Sequence, residues 1–319
     1  MSINEGGIAA AMSSSRFQIG LCTDTHFWNT GVCQYGSNGS LQLQPCSELL
    51  LATLLSEIEL FKPDLVFHLG DATCGGGYFQ MPGADFYAAL NCVHQEFSRL
   101  SAAAYALPGN HDCPPGGGNW SYFEQLWGLV SGTGVTIDLP MARLVLLNTQ
   151  GHSREQIEAA LPTDPVYGWV SDVELLRLED ALATAGSKPV LLFCHQLLRS
   201  WAGNHNPWAP HFYGIRNADA VLAIMARYGN VRAVFQGHAH RFDVHRTVVG
   251  ERCCLFVVTP AVIEYPLGWL NLELTSNEAQ LRLHQLPVPE LAQLSRESGE
   301  GQGWRVGEPN WAELRISLR

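Results

Sequence analysis

Short apolar strands that end in metal-binding side chains are the feature that most constrains this chain. The run from Val231 to Phe235 predicts a buried strand, and Gly237-His238-Ala239-His240 follows it directly. Neutral imidazole is a common ligand for borderline divalent cations, so two histidines one residue apart suit a metal site. A lone His-x-His pair is more often part of a solvated surface. The interpretation as a metal site therefore depends on the other strand ends.

Four further predicted strands lead into the same kind of residue. Phe17 to Cys22 precedes Asp24 and His26, Leu65 to Leu69 precedes Gly70-Asp71, Ala102 to Leu107 precedes Pro108-Gly109-Asn110-His111-Asp112, and Val190 to Cys194 precedes His195. In open α/β sheets, ligand sites lie outside the carboxyl ends of the strands. The sequence therefore predicts that these polar side chains meet at one edge of the sheet.

The other patterns predict helices between the early strands and a run of strands towards the end. Helical patterns cover Ser47 to Phe61, Ala84 to Leu100, Trp120 to Leu129, Ser171 to about Ala185, and Ala218 to Tyr228. Pro63, a Ser171–Glu174 capping box and Gly229 mark three helix ends. Strand patterns cover Arg143 to Leu147, Asp243 to Val249, Leu255 to Thr259, Leu270 to Leu274, and Leu281 to His284. This order of elements predicts an α/β fold.

The length and the absence of breaks predict a single main domain. A chain of 319 residues, 46% of them hydrophobic, suffices for one large α/β domain or two small ones. No repeat or clear linker is visible, so we expect one domain at residues 17–286. Residues 1–16 are expected to form a flexible tail. Residues 287–319 are polar, with Pro, Gly and scattered Trp, and we expect this C-terminal extension to pack on the domain or on a partner.

Composition argues against several environments and partners. No apolar run reaches the ~20 residues that cross a bilayer, and Met1 to Ser15 lacks a basic residue before an apolar core, unlike a secretory signal. Nine scattered cysteines fit a reducing compartment better than a disulfide framework, so we expect a cytoplasmic protein. A formal net charge of −11 disfavours long nucleic acid as a partner. A homo-oligomer stays open.

The strand-end residues form a set of seven candidate metal ligands with oxygen and nitrogen donors. They are Asp24, His26, Asp71, Asn110, His195, His238 and His240. Seven ligands are too many for one tetrahedral ion, but they suit two ions about 3.5–4 Å apart with one ligand shared. Two divalent ions would outweigh the charge of the two aspartates. The resulting positive pocket would attract phosphate even on an acidic protein.

This ordered set resembles the calcineurin-like metallophosphoesterase superfamily. The resemblance rests on Asp24-x-His26, Gly70-Asp71, Gly109-Asn110-His111-Asp112, His195 and Gly237-His238-x-His240, and it covers roughly Phe17 to His284. It implies a sandwich of two mixed β-sheets flanked by helices and a centre of two divalent ions (Mn, Fe or Zn). It also implies that Asp24, His26 and His240 hold one ion, that Asn110, His195 and His238 hold the other, and that Asp71 bridges them.

The same resemblance implies a reaction. Water activated as hydroxide by the ions would attack a small phosphoester, and we expect a phosphodiester of the cyclic-nucleotide kind. Asp71 and Asn110 would take part through the ions, and His111 would contact the phosphate and protonate the leaving oxygen as a general acid. His111 as a residue that only orients Asn110 is the alternative. Asp112 is expected to support the turn or His111, and His68 to be a core or hydrogen-bonded histidine.

Other functions stay open at this level. A phosphomonoesterase or nucleotide pyrophosphatase of the same family, a mononuclear zinc hydrolase using Asp24, His238 and His240, and a catalytically weak metal-binding scaffold each fit part of the pattern. The Arg-rich signature of protein Ser/Thr phosphatases is missing after Gly70-Asp71, where Ala72-Thr73-Cys74-Gly75 stands. The loop from Arg199 to Gly214 is interpreted as a lid or pocket wall. Aromatic loop residues could stack on a base or simply pack in their loops: Trp28, Tyr35, Tyr78, Phe79, Trp201, Trp208, Phe212 and Tyr213.

Cys74 is the one departure from the family pattern. Many members carry Asp three residues beyond the bridging aspartate, where it orients the histidine of the Gly-Asn-His motif, and purple acid phosphatases carry a tyrosine ligand there. Without the tyrosine, a purple ferric site is disfavoured. Without the aspartate, we expect His111 to be less strongly oriented. Cys74 itself is interpreted as a buried thiol, with a thiolate ligand as the alternative.

Overall fold

Two mixed β-sheets of six strands each form the centre of the structure. The computed structural model describes residues 16–36, 39–116, 118–151, 166–201 and 213–319, so residues 1–15 of the predicted tail and much of the predicted lid lie outside the described residues, whereas Arg16 belongs to the first strand and not to the tail. The strands are β1 (Arg16–Cys22), β2 (Gln34–Tyr35), β3 (Leu41–Gln42), β4 (Leu65–His68), β5 (Ala103–Ala106), β6 (Val135–Asp138), β7 (Arg143–Leu146), β8 (Val190–Cys194), β9 (Val231–Gln236), β10 (Asp243–Val249), β11 (Arg252–Val258), β12 (Gly268–Thr275), β13 (Glu278–Gln285) and β14 (Glu313–Ser317). The helices are α1 (Ser47–Phe61), α2 (Gly83–Phe97), α3 (Ser121–Trp127), α4 (Asp172–Ala185), α5 (Ala218–Tyr228) and α6 (Pro289–Arg296).

Each sheet contains a set of neighbouring parallel strands, which lies on one side of the first sheet and in the middle of the second. The first sheet has the order β14-β13-β12-β1-β4-β5, in which β1, β4 and β5 are parallel. The second sheet has the order β10-β11-β9-β8-β7-β6, in which β11, β9, β8 and β7 are parallel. A small third sheet pairs β2 with β3. The expected pair of mixed sheets is confirmed.

Apolar side chains fill the space between the sheets and both outer layers. Phe67 of the first sheet meets Phe193 of the second edge to face, with ring centroids 5.0 Å apart, and Phe193 stacks on Phe235. Helices α1 and α2 cover the outer face of the first sheet, and α4 and α5 cover that of the second. Burial of apolar surface stabilises the folded state by about 25 cal/mol per Å², and the packed side chains hold the two sheets against each other.

Most predicted helix ends are observed where the sequence places them. At the end of α1, Lys62 takes a left-handed conformation (φ 48°) directly before Pro63. At the end of α5, Gly229 (φ 63°) donates its N–H to the carbonyl of Met225. Helix α2 ends at Phe97, earlier than expected, because the next turn tightens into hydrogen bonds between residues three apart.

The predicted capping box at the start of α4 is only half present. The hydroxyl of Ser171 accepts the N–H of Glu174, as expected. The carboxylate of Glu174, however, points into the protein, where it accepts the backbone N–H groups of Gly134 and Asn148 and pairs with Arg177. Glu174 therefore ties α4 to two distant backbone segments instead of closing the box.

Four strands and one α-helix of the described chain were not predicted, and all of them are short. Strands β2 and β3 form the small third sheet. Strand β6 and strand β14 lie at sheet edges, and α6 lies in the segment after residue 286. Strand β14 pairs antiparallel with β13, with Ile316 opposite Ala279. The domain boundary at residue 286 stays a proposal. In the described ranges, no helix is both long and apolar enough to cross a membrane.

We expect Glu174→Ala to lower the free energy of unfolding by about 3–5 kcal/mol, because it leaves the charge of Arg177 and two backbone N–H groups without their buried partner. Glu179→Ala on the same helix removes a largely exposed pair with Arg227 and should cost less than about 1 kcal/mol. Urea unfolding of the two variants measures the difference. Equal losses would show that Glu174 does not stabilise the fold in this way.

Candidate metal centre

Five strand ends meet at one rim of the sandwich. Asp24 and His26 follow β1, Asp71 follows β4, and Asn110 follows β5 in the first sheet; His195 follows β8, and His238 and His240 follow β9 in the second. Parallel pairing aligns the carboxyl ends of β1, β4 and β5, and likewise those of β8 and β9. The structure therefore brings all seven predicted residues together.

Five of these seven residues have left-handed backbone conformations. The φ angles are 54° at Asp24, 40° at His26, 54° at Asp71, 67° at His238 and 49° at His240. Such conformations cost of the order of 1–3 kcal/mol each for residues with a side chain, and they cluster at functional sites. The turns after the strands are therefore shaped to aim side chains inward at the expense of backbone stability.

The first cluster contains Asp24, His26, Asp71 and His240, whose donor atoms all lie within 4.8 Å of one another. Nε2 of His240 is 3.0 Å from Oδ1 of Asp24 and 3.1 Å from Nε2 of His26. Two nitrogens that bind a common ion at ~2.1 Å lie ~3.0–3.4 Å apart. The observed separation of the two imidazole nitrogens thus matches a shared ion.

The second cluster contains Asp71, His195 and His238, with Asn110 beside it. Nε2 of His195 is 3.1 Å from Oδ2 of Asp71 and 3.3 Å from Oδ1 of Asn110. Nδ1 of His238 is 3.9 Å from the same oxygen of Asp71. Asp71 therefore belongs to both clusters, and its Oδ2 atom faces histidines of each.

Several buried polar atoms in the two clusters lack a hydrogen-bond partner among the described residues. They are Oδ1 of Asp24, Nδ1 of His26, Nδ2 of Asn110 and both ring nitrogens of His238. A buried polar atom left unsatisfied costs about 1–3 kcal/mol. Coordinated cations would satisfy the lone pairs of Asp24 and His238, so these residues fit a pair of divalent ions.

The charge balance of the site also favours cations. Burial acts to raise the pKa of Asp71, but His195 and His111 outweigh burial and hold that pKa well below its usual range. Burial acts to lower the pKa of His240, but Asp24 and Glu264 outweigh it and raise that pKa to about 10. The carboxylates therefore stay ionised and draw positive charge to this rim.

Hydrogen bonds fix which atom of each residue faces the site. Oδ2 of Asp24 accepts from the hydroxyl of Thr23 (2.7 Å) and the N–H of His238 (3.0 Å), which leaves Oδ1 facing the histidines. Oδ1 of Asp71 accepts the N–H of His111 (2.8 Å). Nδ1 of His195 donates to the carbonyl of Leu69 (2.8 Å), so its Nε2 points inward. Such outer contacts orient ligands and increase their basicity.

Glu264 and Arg305 belong to the site but were missed from the sequence. Oε1 of Glu264 lies 2.6 Å from Nδ1 of His240, and Arg305 contacts the same oxygen at 3.2 Å. Arg305 also donates to the carbonyl of His240 (2.7 Å) and to the hydroxyl of Ser40 (3.0 Å). Glu264 could have been found as a lone acidic residue directly after the apolar run Ala261-Val262-Ile263. No local sequence pattern marks Arg305.

His111 is oriented by a backbone carbonyl where the family pattern has an aspartate. Its Nδ1 lies 3.0 Å from the carbonyl of Gly75, and because a carbonyl only accepts, Nδ1 carries the proton. A Cβ at position 75 would lie 2.3 Å from the carbonyl of Cys113, so only glycine allows this approach. The expected loss of orientation at His111 is therefore compensated by Gly75.

Cys74 lies beside the site without joining either cluster. It is buried, and its Sγ–H donates to the carbonyl of His26 at 3.2 Å. Burial raises the pKa of the Cys74 thiol well above its usual range, so the thiol is neutral. These observations support the interpretation of Cys74 as a buried thiol.

Asp112 and His68 support the site from behind. Asp112 accepts the N–H of Thr73 (3.0 Å) with one oxygen and that of Gly109 (2.9 Å) with the other, and so joins two of the turns. His68 is buried, contacts the hydroxyl of Thr25 at 3.0 Å and accepts the N–H of Gly70 at 3.2 Å. Both observations agree with the predictions for these two residues.

Three of the predicted aromatic residues lie beside the clusters. Phe79 meets His111 with ring centroids 4.7 Å apart, exposed Tyr78 packs on Phe79, and Tyr213 meets His238 edge to face at 5.1 Å. Trp28 and Trp201 instead donate hydrogen bonds to Asp85 and Asp243. Tyr35 is exposed, and Trp208 and Phe212 lie outside the described residues.

Comparison with known families identifies the class of protein. The family model for calcineurin-like phosphoesterases matches residues 17–242, and the chain belongs to this family. The match covers all five sequence motifs that carry the predicted ligands. A search of curated proteins finds no significant match.

Solved structures with the same fold include proteins of different function. A dimetal phosphatase from Danio rerio superposes with a TM-score of 0.68 at 16% identity, covering 95% of this chain and 99% of that one. The structure of PhoD gives 0.54 at 11% identity, covering 84% and 65%. GAP50, the anchor in the inner membrane complex of Plasmodium, gives 0.51 at 11% identity, covering 86% of each chain. At these identities the likeness shows the fold alone.

We expect Glu264→Gln to weaken Mn²⁺ binding about 10- to 100-fold, because a neutral amide holds the Nδ1 proton of His240 less strongly than a carboxylate does. Calorimetric titration of the metal-stripped protein with Mn²⁺ measures the affinity. Glu278→Gln, an exchange on strand β13 far from the rim, serves as the matched control. A folded Glu264→Gln protein with unchanged Mn²⁺ affinity would contradict the role of Glu264.

Proposed function

We propose that this protein hydrolyses a small phosphoester of the phosphodiester class at a centre of two divalent ions. In this proposal Asp24, His26 and His240 hold one ion, Asn110, His195 and His238 hold the other, and Asp71 bridges them. The single observation that carries the proposal is the position of Asp71, whose Oδ2 lies 3.7 Å from Nε2 of His26 and 3.1 Å from Nε2 of His195.

The chain supplies a preorganised site for this chemistry. Two divalent ions bound here would supply a nucleophile from water at neutral pH and electrostatic stabilisation of the phosphate. Thr23 and the backbone of His111 hold the outer oxygens of Asp24 and Asp71, so these carboxylates need not rearrange during the reaction. Asn110 presents its Oδ1 beside His195, within the second cluster.

His111 is the proposed general acid. Gly75 holds its Nδ1, and the ring therefore turns its other nitrogen towards the space beside His26, with ring centroids 5.1 Å apart. Because Nδ1 already carries a proton, His111 acts as the acid in its doubly protonated form, in which Nε2–H can contact a phosphate oxygen and transfer its proton to the leaving alkoxide, leaving the neutral ring with its proton on Nδ1. The alternative role, orienting Asn110, has less support because the ring is fixed by Gly75.

The surroundings of His111 favour a substrate with an organic group on the phosphate. Buried Phe79 packs on His111, and exposed Tyr78 packs on Phe79 and offers a flat apolar face on which a base or sugar can pack. A phosphodiester carries an organic group on two of its phosphate oxygens. One such group therefore lies close to the phosphorus whichever ester bond breaks. A phosphomonoester and a nucleotide pyrophosphate are the other candidates within the family.

The remaining features of the proposal concern where and with what the protein acts. The net charge of −11 supports a small substrate over long nucleic acid. Among the described cysteines, those at positions 22, 74, 194 and 254 are buried and form no disulfide, which supports a reducing, cytoplasmic environment. Mn, Fe or Zn is the proposed metal.

We expect Asp71→Ala to lower metal content from about two ions per chain and to abolish hydrolysis, because both clusters lose their shared carboxylate. Metal analysis after loading with Mn²⁺, Zn²⁺, Fe²⁺ or Mg²⁺, paired with turnover of bis- and mono-nitrophenyl phosphates and cyclic nucleotides, measures both effects. Asp180→Ala on the exposed face of α4 is the control. About one ion in the unmodified chain would indicate a mononuclear hydrolase, and none a scaffold without this activity.

We expect His111→Ala to keep both ions and to slow turnover by ~10²–10⁴, the usual contribution of a general acid. The loss should be large for a diester with an alkoxide leaving group and small for bis-nitrophenyl phosphate, whose leaving group needs no proton. His94→Ala on the outer helix α2 is the matched control. Equal losses on both substrates would rule out proton donation by His111.

A further inference from the structure

A second concave site lies away from the metal centre and is lined by four arginines. The cavity has a volume of about 220 Å³, and its polar lining is Arg232, Arg246, Arg252, Arg319, Cys253 and Ser317. Its floor is apolar and is formed by Leu255 and Ile316, which belong to the core between the two sheets. The cavity therefore opens where strands β9, β10 and β11 of one sheet meet β14 of the other.

The position of the cavity makes it independent of the metal centre. Arg232 is the second residue of β9, whereas His238 follows the last residue of the same strand. Six residues of extended chain span ~20 Å. The two sites thus lie at opposite ends of one strand.

Among the described residues, the arginines of this cavity lack the carboxylate partners that several arginines have elsewhere in the chain. Other arginines pair with acidic residues, such as Arg143 with Asp138, Arg177 with Glu174, Arg227 with Glu179, and Arg315 with Glu278. Within the described ranges, the cavity lining contains no Asp or Glu, and Arg246 and Arg252 have no ion pair. In a chain with 30 acidic and 19 basic residues, such a cluster without acidic partners is a specific arrangement.

The cluster is electrostatically unfavourable as it stands. Burial lowers the pKa of Arg232, and the neighbouring charge of Arg252 lowers it further. One terminal nitrogen of Arg232 donates to the carbonyl of Gly229, while its buried Nε has no partner in the part of the chain described. An anion in the cavity would offset the repulsion and accept this remaining N–H.

We propose that the arginine cavity binds a small phosphate-bearing anion. Guanidinium groups bind phosphate oxygens through paired N–H donors, and several of them converge here on one space. A volume of about 220 Å³ lies below the roughly 300–1,000 Å³ of pockets for drug-sized ligands, so the occupant is of the size of phosphate or pyrophosphate. Because the floor of the cavity is apolar, the arginine side chains around it supply the hydrogen bonds to the anion.

Cys253 gives a direct readout, because its exposed thiol lies in the cavity. Iodoacetamide is uncharged, and its labelling of Cys253 can be followed by mass spectrometry of the peptides. Pyrophosphate at ten times its dissociation constant should slow this labelling about tenfold, since only the unoccupied fraction reacts. Labelling of Cys33, which is also exposed but distant in the chain, should not change.

Variants distinguish binding in the arginine cavity from binding at the metal centre and from a general effect of anions on the protein. Arg246→Ser combined with Arg252→Ser should abolish the protection, whereas Arg282→Ser combined with Arg315→Ser, at exposed arginines that have carboxylate partners, should retain it. Asp71→Ala should retain it as well, because the metal centre is not involved. Thermal melts show whether each variant is folded.

Three results would overturn the proposal. One is equal labelling of Cys253 with pyrophosphate and with sodium chloride at the same ionic strength. Another is protection that persists in the folded double variant of Arg246 and Arg252. The third is protection that disappears in Asp71→Ala, which would assign the effect to the metal centre.

Discussion

The buried carboxylate of Asp71 is the constraint on which the site depends. It lies between histidines from both sheets, with His195 at 3.1 Å and His26 at 3.7 Å from its Oδ2. Removing a carboxylate from water costs several kcal/mol unless cationic partners compensate. The surrounding imidazoles and the proposed ions provide that compensation, so the conformation of this rim and the occupancy of the metal centre are coupled.

The two-sheet sandwich is what makes such a centre possible. The first sheet contributes Asp24, His26, Asp71 and Asn110, and the second contributes His195, His238 and His240. Neither sheet has a complete set, and the contact of Phe67 with Phe193 holds the two at a set distance. The left-handed turns after the strands add strain locally, and the apolar core between the sheets supplies the stability that sustains it.

The segment after residue 286 connects both ends of the sandwich. Arg305 reaches the metal centre through Glu264 and the carbonyl of His240. Strand β14 completes the first sheet and forms part of the arginine cavity. Changes in this segment can therefore affect the orientation of His240 and the proposed anion site, although the family match ends at residue 242.

The sequence by itself determined the main strands and helices and the residue types at the strand ends. Apolar runs and helical periodicity are local, and the Ser47–Phe61 helix and the Val190–Cys194 strand have the predicted bounds. Only the tertiary structure decided the partners of these residues: Glu264 and Arg305 behind His240, and the carbonyl of Gly75 in place of an aspartate at His111. Such contacts join segments as much as 65 residues apart and depend on how elements pack, which no local pattern encodes.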